Sequence, residues 1–266
     1  MNDVSKLTRK REASEGPAYA APALEKGLDV LELLCRSESA LSIKTIAQVL
    51  GRSVGELYRM VSCLVERGYL VNVDDKYHLS TKLFELAHIN PPTHRLLTEA
   101  MPVMQKLSAE LDQSCHLSVY ATGRQMVVAK VDSPSGMGFS VRVGAELDVL
   151  VSASGRVLLA FQDQVTQRQR IAESEARQPE QADPQIEIVL DTIRERGFES
   201  SPSVQVRGLY AVAFPIGDTS GHAIAALTVP FAERIDLAQR RSIDSIERHL
   251  GESAHEITSR TGGLVT

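Results

Sequence analysis

Between residues 24 and 79 three amphipathic stretches, a glycine turn and a two-strand pattern follow one another, and few folds accommodate that order. Leu24, Leu28, Leu31 and Leu34 recur at helical spacing until Ser37–Ser39 interrupt them. Ser42 then stands where a helix cap is needed, and Ile43, Ile46, Ala47 and Leu50 form an i, i+3, i+4, i+7 stripe. Gly51 supplies a tight turn. A third helix is predicted from about Ser53, with Val54, Leu57, Val61 and Leu64 facing inward and Gly68 just past its end. Tyr69–Val73 alternates, Asp74-Asp75 marks a turn and Tyr77–Leu79 returns, which reads as a short hairpin. Helix, helix, turn, helix, hairpin is the order of a winged helix-turn-helix. Ala47 is small where the first helix of the pair must cross the second. The second helix leaves Arg52, Ser53, Gly55, Glu56, Arg59 and Ser62 on its outer face. Arginine reads guanine edges or holds phosphate, serine holds phosphate and glutamate accepts from cytosine, so this face is suited to duplex DNA. The competing reading is an ordinary solvated helix face.

Charge distribution favours the DNA reading despite a net charge of −5. Residues 1–90 carry 12 basic and 12 acidic side chains, and residues 91–266 carry 17 and 22. The first eleven residues hold Lys6, Arg9, Lys10 and Arg11 against Asp3 alone. A neutral front half with a basic tip and an acidic back half points to two modules with different partners. Residues 1–22, polar and without periodicity, read as a flexible arm. Ser80–His88 is predicted as a short helix stopped by Asn90-Pro91-Pro92, where the next module begins.

Thr93–Leu111 is helical in pattern, with Pro102 either kinking it or starting a second segment. The period then changes to two. Cys115–Ala121 and Met126–Asp132 read as a hairpin about Thr122-Gly123-Arg124, and Phe139–Val143 as a third strand. Helices are predicted over Ser154–Phe161, Gln164–Glu175, Ile186–Arg196 and Ile235–Ile257, with a surface loop at Ala176–Pro184. Leu209–Ile216 and Ala223–Val229 flank the turn Asp218-Thr219-Ser220-Gly221. This half is therefore expected to be α+β, with an antiparallel sheet and helices segregated at its ends.

Several function classes fall away. Apolar runs are too short to span a membrane, and no opening segment marks the chain for secretion. Three scattered cysteines fit neither a disulfide framework nor a zinc ribbon and suggest a reducing, cytoplasmic setting. Ser152-Ala-Ser-Gly155 lacks the glycine before the serine that a hydrolase elbow needs. Gly136-Met-Gly138 has neither the helix nor the later acid of a dinucleotide site. Cys115 and His116 are adjacent, hence on opposite sheet faces, and His249 and His255 are six apart on a helix. No catalytic residues, metal ligands or cofactor are expected.

At this point the residues carry a resemblance. Ala40–Gly51 (ALSIKTIAQVLG) and Leu57–Leu70 (LYRMVSCLVERGYL) resemble the DNA-binding domain of the IclR family of bacterial transcriptional regulators. Ser140–Leu147 (SVRVGAEL), Ser152–Ala160 (SASGRVLLA), Arg194–Phe198 (RERGF) and Ala211–Ile216 (AVAFPI) resemble the family's effector-domain landmarks. The resemblance spans about residues 23 to 262. It implies a two-domain α+β protein: the arm 1–22, a winged helix-turn-helix over 23–90, a linker helix over 91–112 and a GAF-like α/β effector-binding domain over 113–262. It also implies a homodimer or tetramer on a pseudo-palindromic double-stranded operator, and a small organic-acid or aromatic effector. The candidate DNA contacts are Ser42, Lys44, Arg52, Ser53, Gly55, Glu56, Tyr58 and Arg59. The effector contacts that the resemblance implies are Leu147, Ala153, Ser154, Ser201, Leu209, Ala211, Thr228 and Pro230. Two departures stand out. Gly55-Glu56 replaces a Ser-Thr pair common in the family, and Asp148-Val149-Leu150 replaces a proline, an apolar residue and a histidine, a change expected at the pocket wall. Arg142 and Arg207 are the candidates for a positive charge in the pocket. The alternative is an oligomeric DNA-binding protein whose C-terminal domain serves assembly and binds no ligand.

Overall fold

The computed structural model describes residues 21–89, 91–136, 138–232 and 242–264. Residues 1–20 of the expected arm 1–22, Met137 and residues 235–241 of the helix expected over Ile235–Ile257 lie outside the described residues. The chain divides between Asn90 and Pro91 into two compact units, and each has its own core.

The first unit runs α1 (Pro22–Cys35), β1 (Leu41–Ser42), α2 (Ile43–Val49), α3 (Val54–Glu66), β2 (Leu70–Val73), β3 (Lys76–Leu79) and α4 (Lys82–Ile89). The two glycine signals act as read. Gly51 and Gly68 have φ of 63° and 76°, which L side chains rarely adopt. Each ends its helix with the paired bonds of a Schellman motif: Arg52 N–H to the Ala47 carbonyl with Gly51 N–H to Gln48, and Tyr69 N–H to Leu64 with Gly68 N–H to Val65. Asp74 and Asp75 both have positive φ, the primed turn that closes a two-residue hairpin. β1 pairs with β3 to make a three-stranded wing that the pattern did not foretell, because two residues are too few to show alternation. The core is Val30, Leu33, Leu34, Ile46, Ala47, Leu57, Val61 and Leu70. Three inward assignments fail: Leu24, Leu28 and Val54 are exposed. α1 buries the stripe through Val30, Leu33 and Leu34 instead.

The second unit runs α5 (Pro91–Leu111), β4 (Cys115–Tyr120), β5 (Gln125–Val131), β6 (Glu146–Leu147), α6 (Ala153–Ala160), α7 (Gln164–Arg177), a 3-10 turn at Pro179–Gln181, α8 (Ile186–Arg196), β7 (Glu199–Pro202), β8 (Tyr210–Gly217), β9 (Ala223–Phe231) and α9 (Ile243–Thr261). α5 passes through Pro102 without a break. It sends Leu96, Ala100, Val103, Met104, Leu107 and Leu111 into this unit's core, so it packs as part of the unit. The sheet is antiparallel throughout, in the order β6-β5-β4-β9-β8-β7.

Helices are not gathered at the ends of this sheet, as the pattern suggested. α5 and α9 pack on one face with Leu117, Val212, Leu227 and Val229, while α6 and α8 pack on the other with Ala213 and Ala226. β9 is therefore buried on both faces and reads as a continuous apolar run. The predicted strand Phe139–Val143 is absent. The edge of β5 is already taken by Gly144 and Ala145, which exchange hydrogen bonds with Val127 before Gln125 and Met126 pair with β6. Residues 139–143 are left outside the ladder.

Candidate functional site

The α2–turn–α3 pair is built by short-range chemistry. Ser42 caps α2, its Oγ accepting from Thr45 N–H at 3.2 Å. Ser53 caps α3 in a reciprocal box: its Oγ accepts from Glu56 N–H at 3.3 Å, and the Glu56 carboxylate accepts from Ser53 N–H at 3.0 Å. Lys26 of α1 reaches the other Glu56 oxygen at 3.1 Å, and Arg52 reaches Asp29 at 3.0 Å. The Ser53 donors and the Lys26 ammonium bring the Glu56 carboxyl down to about 2. The glutamate that replaces a family hydroxyl is thus the N3 member of a capping box, balanced by a lysine. Among the eight sequence-predicted DNA contacts, Ser42, Arg52, Ser53 and Glu56 are occupied in holding the helices. Lys44, Tyr58 and Arg59 are exposed, and the space beside Gly55 is open. Lys44 and Arg59 have no ion-pair partner among the described residues.

In the second unit a cavity of about 90 Å³ lies between the start of α6 and the sheet. All eight residues singled out for effector contact line it: Leu147 from β6, Ala153 and Ser154 from α6, Ser201 from β7, Leu209 and Ala211 at β8, and Thr228 and Pro230 from β9. It is a concave, largely apolar site with a few polar groups, as small-molecule sites are.

The cavity mouth depends on a tight turn over residues 148–152. Gly155 is the reason that turn fits, because a Cβ there would sit 2.3 Å from the Val149 carbonyl oxygen and 2.5 Å from Val149 Cα. Gln125, fully buried, donates from Nε2 to the Asp148 carbonyl at 2.8 Å and to Ser152 Oγ, and accepts from Ser118 Oγ at 2.9 Å. Arg156 Nε donates to the Leu150 carbonyl at 2.9 Å. The cap of α6 is Ser152, whose Oγ accepts from Gly155 N–H at 3.1 Å. Ser154 is one residue inside the helix and buried, and its hydroxyl has no partner among the described residues. The helix N-terminus that leads into the cavity favours negative charge.

Two expectations about this site need correction. Arg142 and Arg207 are exposed and do not line the cavity. Asp148 is not part of the wall either: it is buried behind it, with Oδ1 accepting from Leu150 N–H at 2.9 Å. Its position is set by the turn it closes.

The structure adds lining groups that sequence reasoning missed, chiefly His116, Phe139, Val141 and the segment Ser203–Val206. Alternation contained the signal for His116. Cys115 goes to the α5/α9 face, donating to the Met104 carbonyl at 3.6 Å with its thiol pushed by burial to about 12, so His116 must face α6.

Two family models match the chain. The model described as bacterial transcriptional regulator IclR C-terminal matches residues 92–259, and the IclR helix-turn-helix domain matches residues 23–74. The chain is 28% identical over 200 residues to the HTH-type transcriptional regulator KdgR of Escherichia coli, covering 73% of this chain and 76% of that protein. Its fold is similar to that of the IclR of Thermotoga maritima, with a TM-score of 0.66 at 22% identity over 90% of this chain and 98% of the other. It is also similar to an IclR homolog of Microbacterium hydrocarbonoxydans complexed with 4-hydroxybenzoate, with a TM-score of 0.71 at 21% identity over 90% and 99%. The helix-turn-helix with its wing, the antiparallel sheet covered by helices on both faces and the two matched models together make this chain a member of the IclR family of bacterial transcriptional regulators.

Proposed function

We propose that this regulator couples a small organic effector, held in the cavity at the start of α6, to the binding of duplex DNA by α3. The observation that carries the reading is the cavity, which unites an apolar wall, a helix N-terminus and the buried hydroxyls of Ser154 and Thr228. An assembly module needs none of these. The Microbacterium relative bound to 4-hydroxybenzoate supports ligand binding in this fold.

On the DNA side, Arg59 and Lys44 are the cations left free to meet phosphate or a base edge, with Tyr58 beside them. Arg52, Ser53 and Glu56 act by setting the angle of α3. A single winged helix makes few base contacts, so the protein is expected to act as at least a dimer on a pseudo-palindrome. Replacing Arg59 with alanine should weaken DNA affinity by roughly tenfold or more without changing the melting temperature, because the side chain is exposed and makes no ion pair among the described residues. Fluorescence anisotropy on the chain's own upstream DNA, at two salt concentrations, checks this. Parent affinity that is insensitive to salt would count against phosphate-driven binding.

On the effector side, two neighbouring serines separate architecture from recognition. Ser152→Ala removes the cap of α6 and should cost about 1 kcal/mol of stability. Ser154→Ala leaves the cap in place and should instead weaken ligand binding by roughly tenfold to a hundredfold, the worth of a hydrogen bond to a charged group. A thermal-shift screen of organic acids on the full chain supplies the ligand, and calorimetry on both variants gives the two numbers. Unchanged affinity in Ser154→Ala would remove Ser154 from the contact set.

A further inference from the structure

His116 on β4 and Thr228 on β9 are directly opposite in the antiparallel register, so their side chains share the α6 face. Both line the cavity. Both are more than nine-tenths buried, and His116 Nδ1, His116 Nε2 and Thr228 Oγ1 find no hydrogen-bond partner among the described residues. Buried polar atoms are seldom left unpaired, and such a cluster at the wall of a cavity calls for a group to pair with. The ring N–H and the hydroxyl beside it are two donors that match two neighbouring acceptor oxygens better than a bare apolar surface.

We infer that His116 and Thr228 form the polar anchor of the cavity, gripping an oxygen-rich, anionic head group of the ligand. This rests on the reading of the cavity as the effector site. An anionic head follows from the setting. The α6 N-terminus lies across the cavity, and no carboxylate lines it. Along the sheet row the order is Glu199, Ala213, Thr228, His116, Lys130. Lys130, next to His116, is held by Asp132 and Ser140 at its outer end, and Glu199 is three strands away. α6 and the 203–206 segment contribute only hydroxyl, amide and apolar side chains to the lining.

A proton follows the ligand. Burial alone pushes the empty-cavity imidazole down to about 4, so it is neutral near pH 7. An anion beside it favours the imidazolium and raises that value. Binding is therefore linked to proton uptake, and it tightens as pH falls through the raised, ligand-bound value towards about 4.

The test titrates the histidine ring signals of the full chain by NMR, assigning His116 by its loss in His116→Gln, with acetate, glycolate and lactate as small probes and benzoate as the ring-bearing one. The small acids are expected to bind saturably and to move the His116 titration upward by at least about 1. His116→Gln and Thr228→Val are each expected to weaken binding tenfold or more, with the remaining histidine signals unchanged as evidence of an intact fold. Equal affinity in parent and both variants would overturn the anchor while leaving the cavity as the effector site. Binding of no carboxylate probe would overturn the head-group assignment. A ligand from the thermal-shift screen that binds without disturbing His116 or any other cavity signal would instead remove the cavity as the effector site.

Discussion

Gly155→Ala should unfold or deform the start of α6 and lower the stability of the C-terminal unit by about 3 kcal/mol, the upper range for overpacking a filled site. The added methyl would stand 2.3 Å from the Val149 carbonyl oxygen and 2.7 Å from its carbonyl carbon. Both are backbone atoms, so no rotamer change relieves the contact. The turn 148–152 is also held by Gln125, Ser152 and Arg156, so it cannot retreat without breaking those bonds. The variant should therefore lose stability and ligand binding together. Denaturant unfolding of the full chain checks the first and calorimetry the second. Parent-like stability would mean that α6 and the turn can separate at little cost, which contradicts the tight turn on which the cavity depends.

Leu57→Ala is the second change of this size. Leu57 lies on the inner face of α3, fully buried among Val30, Leu34, Ile46 and Val61. Removing a buried leucine side chain costs about 2–5 kcal/mol. A unit of this length holds only on the order of 4–10 kcal/mol in total, so the loss is a large share of it. The two units have separate cores, and the C-terminal one should not feel the change. Hydrogen exchange read by mass spectrometry should show the amides of α1 to α3 losing protection while those of β4, β8 and β9 keep it. DNA affinity should fall with the fold. Arg59→Ala should lower affinity with protection intact, and that contrast separates recognition from architecture. Unchanged exchange in Leu57→Ala would place the weight of this small core elsewhere.

Local signals carried most of the first unit. Ser42, Gly51, Ser53, Gly68 and Asp74-Asp75 each act within a few residues of themselves, so chain order alone shows what they do. Face assignments needed neighbours that order does not show. Leu24 and Leu28 continue a leucine stripe, yet both are exposed, and α1 turns Val30, Leu33 and Leu34 inward instead. In the second unit, Phe139–Val143 has strand composition, but the edge it would join is taken by Gly144 and Ala145, a competition only the folded sheet decides. The helix covering of both sheet faces left one signal, the apolar run of β9 without alternation, which says that both faces are buried but not by which elements.

The cavity shows the same division. Eight of its lining residues followed from the family resemblance, which transmits positions but not partners. His116 was set aside because adjacency to Cys115 rules out a catalytic pair. The same adjacency places the ring on the α6 face, and only the register opposite Thr228 shows that both polar groups are unpartnered. Arg142 and Arg207 failed as pocket cations because charge in a sequence says nothing about direction. Asp148 failed as a wall residue because the turn draws its carboxylate back to Leu150 N–H.

The claim at the centre is that ligand in the cavity and DNA on α3 are thermodynamically linked. The measurement is the dissociation constant of the full chain for its own upstream DNA, taken with and without a saturating ligand from the thermal-shift screen, in the parent and in Ser154→Ala. In the parent the ligand should shift that constant by roughly 5- to 150-fold, and DNA should shift the ligand's affinity by the same factor. In Ser154→Ala the constant without ligand should match the parent, and much more ligand should be needed for the same shift. Ligand binding that leaves DNA affinity unchanged in the parent would contradict the account.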